Sequence, residues 1–170
     1  MPKVTGYSRT TNDGREKVFS GIWAYLLTDG PRIYIQELID GRFGIAVVSA
    51  TGGEAMPMQT PFENVRPGNI SPDKSQLVVA SFVGYEAAGP LWTLPVLGGS
   101  PRRLGDLTGG DATWSSNGEL LVSRGADLYL AKANGSAPRK LVSLGGHASW
   151  LRWSPDGRTL RFTLSDPNPA

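Results

Sequence analysis

Short apolar-rich runs alternate with clusters of Gly, Pro, Asp and Asn along the whole chain. The clearest runs are Arg32-Ile33-Tyr34-Ile35, Gln76-Leu77-Val78-Val79-Ala80, Glu119-Leu120-Leu121-Val122 and Thr159-Leu160-Arg161-Phe162-Thr163. Each follows a turn of one kind: Leu27-Thr28-Asp29-Gly30, Ser71-Pro72-Asp73-Lys74, Ser115-Ser116-Asn117-Gly118 and Ser154-Pro155-Asp156-Gly157. The Asp or Asn of the turn falls at 29, 73, 117 and 156, in steps of 44, 44 and 39, and a fixed period of about 20–50 residues marks a repeat architecture. No stretch of about a dozen residues free of Gly and Pro places apolar positions at i, i+3, i+4 and i+7. The pattern predicts an all-β chain of short strands.

Two further strand-like runs follow in each unit, so the unit reads as a four-stranded antiparallel blade, the folding element of a β-propeller. From the centre outward, the first blade is expected at 22–26, 32–37, 43–49 and 54–59. The second is expected at 65–70, 76–82, 91–96 and 101–104, and the third at 111–114, 119–123, 127–131 and 138–142. Gly98-Gly99 and Asn134-Gly135 precede the last strand of the second and third units, supplying the positive φ that tight hairpin turns need. The repeats run over about 22–60, 64–105, 110–143 and 147–170, within one domain spanning 1–170.

The two ends are incomplete in complementary ways. A lone strand within 3–11 precedes the first blade, and only an innermost pair, 148–153 and 159–164, follows the third. The N-terminal strand is expected to pair with the C-terminal blade, since such a join replaces open sheet edges with ladder hydrogen bonds. About four blades per chain either close a ring of their own, which demands steep angles between blades and a narrow channel, or, at the splay of a seven- or eight-bladed ring, leave apolar faces at both ends of an open arc. A homodimer about a twofold axis, two half-propellers completing an eight-bladed ring, would bury them.

Composition supports strands and thins the chemistry. The 22 Gly and 13 Pro suit many tight turns and suit long helices poorly. With 17 cationic and 15 anionic residues the charge is nearly balanced, which argues against nucleic acid as a partner. The densest cations, Arg102-Arg103 and Arg139-Lys140, fall on the outermost strand of successive blades, where they would face water. There is no Cys, so disulfides and thiolate chemistry are excluded. No apolar run approaches the ~18 residues of a membrane span, and Met1-Pro2-Lys3-Val4-Thr5-Gly6 lacks the apolar region of a signal peptide. The chain reads as soluble, with no membrane contact by this segment.

His147 is the single histidine, and without Cys or a second His a zinc site or catalytic triad would need carboxylates from other blades. The turn aspartates fit caps of their own turns, because no turn gathers the several oxygens of a calcium loop. Serines stand in no G-x-S-x-G setting, and Gly98-Gly99 and Gly109-Gly110 lack the Lys and helix of a phosphate loop. The expectation is no catalytic residue, no metal, no cofactor and no enzyme. Trp114 and Trp153, like Trp92 and Tyr129, occupy repeated positions that suit packing between blades. A partner surface is expected at the ring mouth, with Arg66, Asn69, Asp111, His147, Trp150 and Arg152 as its candidate residues.

The segments Trp150-Leu151-Arg152-Trp153-Ser154-Pro155-Asp156-Gly157-Arg158-Thr159-Leu160-Arg161-Phe162 and Leu97-Gly98-Gly99-Ser100-Pro101-Arg102-Arg103-Leu104 resemble the W-S-P-D-G and G-G-x-x-R-R-L signatures of TolB-type, WD-like propeller repeats. The resemblance covers nearly the whole chain. Lys74 departs from it by replacing a turn glycine, and Leu27-Thr28-Asp29-Gly30 lacks the Trp-Ser-Pro of the fourth repeat. The family occurs in the periplasmic TolB protein, in sensory halves of bacterial winged-helix regulators, which the opening residues resemble most, and in prolyl-oligopeptidase-like enzymes. The resemblance implies a non-enzymatic scaffold or sensor that binds protein or peptide. Two alternatives are the propeller portion of a hydrolase lacking its catalytic domain and an excised or engineered half-propeller whose main property is self-assembly.

Overall fold

A computed structural model describes residues 3, 5–6, 9–15, 17, 26–84, 86 and 88–165. Its first sheet orders β1 (Leu26–Thr28), β2 (Arg32–Ile39), β3 (Arg42–Ser49) and β4 (Met56–Pro57) in sequence. The second comprises β5 (Asn64–Ile70), β6 (Gln76–Phe82), β7 (Gly89–Pro95) and β8 (Arg102–Gly109). The third comprises β9 (Asp111–Trp114), β10 (Leu120–Arg124), β11 (Asp127–Ala131) and β12 (Arg139–Ser143). The fourth is a pair, β13 (His147–Trp153) and β14 (Leu160–Ser165). Every strand pairs antiparallel with its sequence neighbour within its sheet. Residues 22–25 of the first expected strand and 166–170 at the C-terminal end lie outside the described residues.

The apolar runs of the first three blades are continuous because those blades are buried on both faces. Along β6, Leu77 and Val79 point into a core shared with Leu27, Tyr34 and Ile45 of the first blade. Val78 and Ala80 point the other way, toward Ala112, Trp114, Leu120 and Val122 of the third. On β10 the alternation repeats: Leu120 and Val122 face back to the second blade, while Leu121 packs with Ala148 and Leu151 of the fourth. Strand period therefore becomes blade-to-blade cohesion. β12 is exposed along its length, as its outermost place requires.

The recurrent turns close as their residues dictate. Lys74, Gly118 and Gly157 each donate a backbone N–H to the carbonyl three residues back, at Ser71, Ser115 and Ser154. All three have positive φ, 60°, 83° and 68°. Asp73 and Asp156 accept a hydroxyl bond from Ser71 and Ser154 and a backbone N–H from Ser75 and Arg158, so they cap their own turns. Lys74 occupies the glycine position at a conformational cost, yet its Nζ donates to the Asp29 carbonyl of the preceding blade at 2.8 Å.

The first turn is built differently. Asp29 accepts the Arg32 N–H at 2.8 Å, the Arg32 Nε–H at 2.7 Å and the hydroxyl of fully buried Tyr34 at 3.0 Å. Burial and the neighbouring carboxylate push the Tyr34 hydroxyl up to about 12. Asp29→Ala leaves that hydroxyl without its acceptor, and we expect a loss of about 2–3 kcal/mol in denaturant unfolding. Tyr34→Phe in the same background should recover part of it.

One expectation about the ends is corrected. Thr10, Thr11, Asp13, Arg15 and Lys17 lie against the first blade, and among the described residues the fourth remains a pair: Thr11 bridges Gly53 in parallel, and Lys17 bridges Glu37 antiparallel. Hydrogen bonds and ion pairs hold them there. Gly53 N–H donates to the Thr10 carbonyl at 3.0 Å, Arg15 Nη1 donates to the Ala55 carbonyl at 2.9 Å, and Lys17 Nζ lies 2.5 Å from Glu37 Oε1. This strap lies beside an apolar cluster of Ile33, Ile35, Ala46, Val48 and Ala55. At the other end, Phe162 and Leu164 of β14 stay exposed.

Candidate functional site

The inner strands β5, β9 and β13 carry the candidate residues, and two of them are bulged. The β5–β6 register shifts between Pro67 and Asn69, and the β13–β14 register shifts between Ser149 and Arg152. At the first bulge a side chain on Gly68 would stand 2.6 Å from the Ala112 carbonyl of β9, so glycine lets the two strands approach. At the second, Trp150 takes φ +61°, an outlier for a bulky residue. Bulges of this kind re-aim side chains and gather at functional sites.

Asp111 is the centre of this row. It is 2% exposed at the start of β9, and its Oδ1 accepts the Ala112 N–H at 2.8 Å. Its Oδ2 accepts the Leu151 N–H from the next blade at 2.9 Å, fixing the backbone beside Trp150. Arg66 is also buried, donating from Nη1 to the Gly110 carbonyl at 2.8 Å, with its guanidinium 5.1 Å from the Phe82 ring centre. Asn69 donates to Thr113 Oγ1 at 2.5 Å. Arg152 Nη1 donates to the Leu151 carbonyl at 2.7 Å and stays partly exposed.

Of the six expected residues, then, Arg66 and Asp111 are buried joints between successive blades. Asn69 combines such a joint with partial exposure, and Trp150 and Arg152 at the second bulge are also partly exposed. His147 is exposed at the start of β13, and among the described residues no side-chain hydrogen bond or ion pair joins it to the other five. Sequence reading missed Thr113 and the Leu151 backbone. Their part follows from side chains meeting the equivalent position of the next repeat, 44 residues on for Arg66 and Asn69 and 40 for Asp111.

Burial pushes the Asp111 carboxyl up from 3.8 to about 6, against the pull of Arg152, the Leu151 and Ala112 N–H groups, and Arg66. Because the folded form holds its proton to higher pH than the unfolded chain, this group favours folding below its unfolded pKa. That contribution is lost as pH rises through about 6, a change of about 3 kcal/mol. The test is the unfolding free energy of the wild type minus that of Asp111→Asn between pH 4 and 7. We expect the difference to decline across that window.

No protein-family model and no curated protein matches the sequence. Among solved structures, 47 chains are similar. A candidate TolB from Agrobacterium tumefaciens superposes with a TM-score of 0.70 at 16% identity, over 83% of this chain and 53% of that one. TolB from Acinetobacter baumannii gives 0.64 at 15% identity, over 86% of this chain and 37% of that one. A gluconolactonase from Xanthomonas campestris gives 0.63 at 15% identity, over 82% and 52%. The chain thus spans about half the length, or less, of the structures it resembles. The likeness establishes a β-propeller fold of the TolB kind. It also overturns the expectation that the chain is not an enzyme: a protein of the same fold is a gluconolactonase, so the architecture does not exclude catalysis. Among the described residues, no helix is long and apolar enough to cross a membrane.

Proposed function

We propose that this chain is a propeller module that binds an acidic protein or peptide segment at the inner-strand end of its blades. Trp150, Arg152, Asn69 and His147 are the contacting residues, and Asp111 and Arg66 are positioning residues behind them. The observation that carries this reading is Trp150, a strained aromatic in a bulge whose next residue, Leu151, donates its backbone N–H to a buried carboxylate of the preceding blade. Strain of this kind persists where the surroundings over-determine it, and an aromatic beside a partly exposed Arg is a common composition for a binding hot spot. The test is selection from a random peptide library on immobilised wild type, followed by affinity measurement with Trp150→Ala and Arg152→Ala. Acidic peptides should emerge and should bind either variant about tenfold more weakly or worse. Selection of no peptide, or binding indifferent to both substitutions, would overturn the proposal.

The same reading includes a homodimer of half-propellers. It is supported by the chain's span of about half of two larger propellers and by the exposed Phe162 and Leu164 of β14. Light scattering across a dilution series should give a species of twice the chain mass. A monomer at all concentrations would exclude it.

A further inference from the structure

A second site lies at the periphery, between the outer strand of the second blade and the face of the third. There the blades part to leave a cavity of about 500 Å³, within the range of about 300–1,000 Å³ usual for small-ligand sites. Its walls combine apolar surface from Leu107, Val122, Pro138 and the Tyr129 ring with two charged groups, Asp106 from β8 and Arg124 from the end of β10. Leu107 and Val122 are core residues whose side chains close the bottom. Asp106 and Arg124 are exposed, and neither forms an ion pair among the described residues.

Two details mark the cavity as built into the fold. The β11–β12 register shifts between Leu128 and Tyr129, and a bulge of this kind re-aims the neighbouring side chain. Beyond the Gly135 turn, Ala137 takes φ +52° just before Pro138, an unusual conformation for a residue with a side chain. Tyr129, by its repeat position, should pack between blades as Trp92 does. Both rings are half-buried, but Trp92 packs against Phe62 and the Leu77–Leu94 cluster, whereas Tyr129 lines the cavity.

An apolar floor with one unpaired cation and one unpaired anion on separate elements complements a zwitterion that carries an apolar group. We propose that this cavity binds an apolar α-amino acid or the short peptide that shares its chemistry. The carboxylate pairs with the Arg124 guanidinium, the ammonium pairs with Asp106, and the side chain rests on Leu107, Val122 and Tyr129. This site is separate from the inner-strand residues of the preceding section and stands or falls independently of them.

The experiment is calorimetric titration of the full chain with phenylalanine, N-acetylphenylalanine, phenylalanine amide, leucine and the dipeptide dileucine. Phenylalanine should bind, and each blocked form should bind about tenfold more weakly, since each loses one charge-assisted pair. Arg124→Gln should remove the penalty of amidation, and Asp106→Asn should remove the penalty of acetylation. Both side chains are exposed, so unchanged unfolding midpoints will separate lost binding from lost folding. Tighter binding of dileucine than of leucine would assign the site to peptides, and the reverse to free amino acids. Absence of heat with every probe, or affinity indifferent to both blocking groups and both substitutions, would overturn the proposal.

Discussion

Replacing Gly135 by Ala is expected to cost about 4 kcal/mol, while the same replacement at Gly118 costs about 1 kcal/mol. Both residues close a turn with nearly equal positive φ, 84° and 83°. A Cβ on Gly118 meets nothing within 4 Å, so only the left-handed conformation is penalised. A Cβ on Gly135 would overlap the Leu104 carbonyl oxygen and stand 2.6 Å from its carbon. That contact is backbone against backbone, and no rotamer relieves it. Leu104 is fully buried in the core shared by the second and third blades, so relief requires the blades to separate. Denaturant unfolding of the two variants measures the difference directly. Equal losses would mean that the junction yields freely and that this contact does not hold the blades together.

Lys17→Met is expected to destabilise the protein by about 3–5 kcal/mol, the range for breaking one partner of a buried ion pair. The Glu37 side chain is fully buried, and Lys17 Nζ lies 2.5 Å from its Oε1 and 2.6 Å from Asp13 Oδ1. Burial works against the Lys17 charge, but the bonds to Asp13 and Glu37 outweigh it and hold the ammonium above its ordinary range. Arg15, 3.7 Å from the other Glu37 oxygen, compensates only in part. Release of the strap would hydrate Glu37 and set an upper limit on the loss. Hydrogen exchange at residues 10–17 should therefore accelerate with the fall in stability. Lys17→Met combined with Glu37→Leu should recover most of the loss, because an apolar pair removes the stranded charge. A double variant no better than the single would show that the strap is held by its backbone bonds instead.

The strands and turns were legible because their causes are local. Asp73 and Asp156 cap the turns in which they stand, and glycine takes the positive φ of the third and fourth turns at Gly118 and Gly157. Lys74 looked like a departure from that rule because its compensation, the Asp29 carbonyl, comes from another blade. The apolar runs announced strands, and Leu77 to Ala80 divide their side chains between two cores as a period of two requires.

The candidate surface was legible only as a place. The sequence put Arg66, Asn69, Asp111, His147, Trp150 and Arg152 near the start of inner strands, but it could not separate Arg66 and Asp111, buried joints between blades, from residues that keep exposed surface. That distinction depends on which side chain meets the next repeat, through contacts 40 to 44 residues apart. The path of the N-terminal strap was likewise decided in three dimensions. The complementary ends pointed it to the C-terminal blade, whereas the pairing of Lys17 with Glu37 and of Arg15 with the Ala55 carbonyl holds it on the first blade. By itself the sequence determined strand period, turn chemistry and the repeating blade, since these depend on residues a few positions apart. The tertiary structure alone decided burial of charge, the bulge at Trp150 and the cavity beside Tyr129, because each arises where separate blades meet.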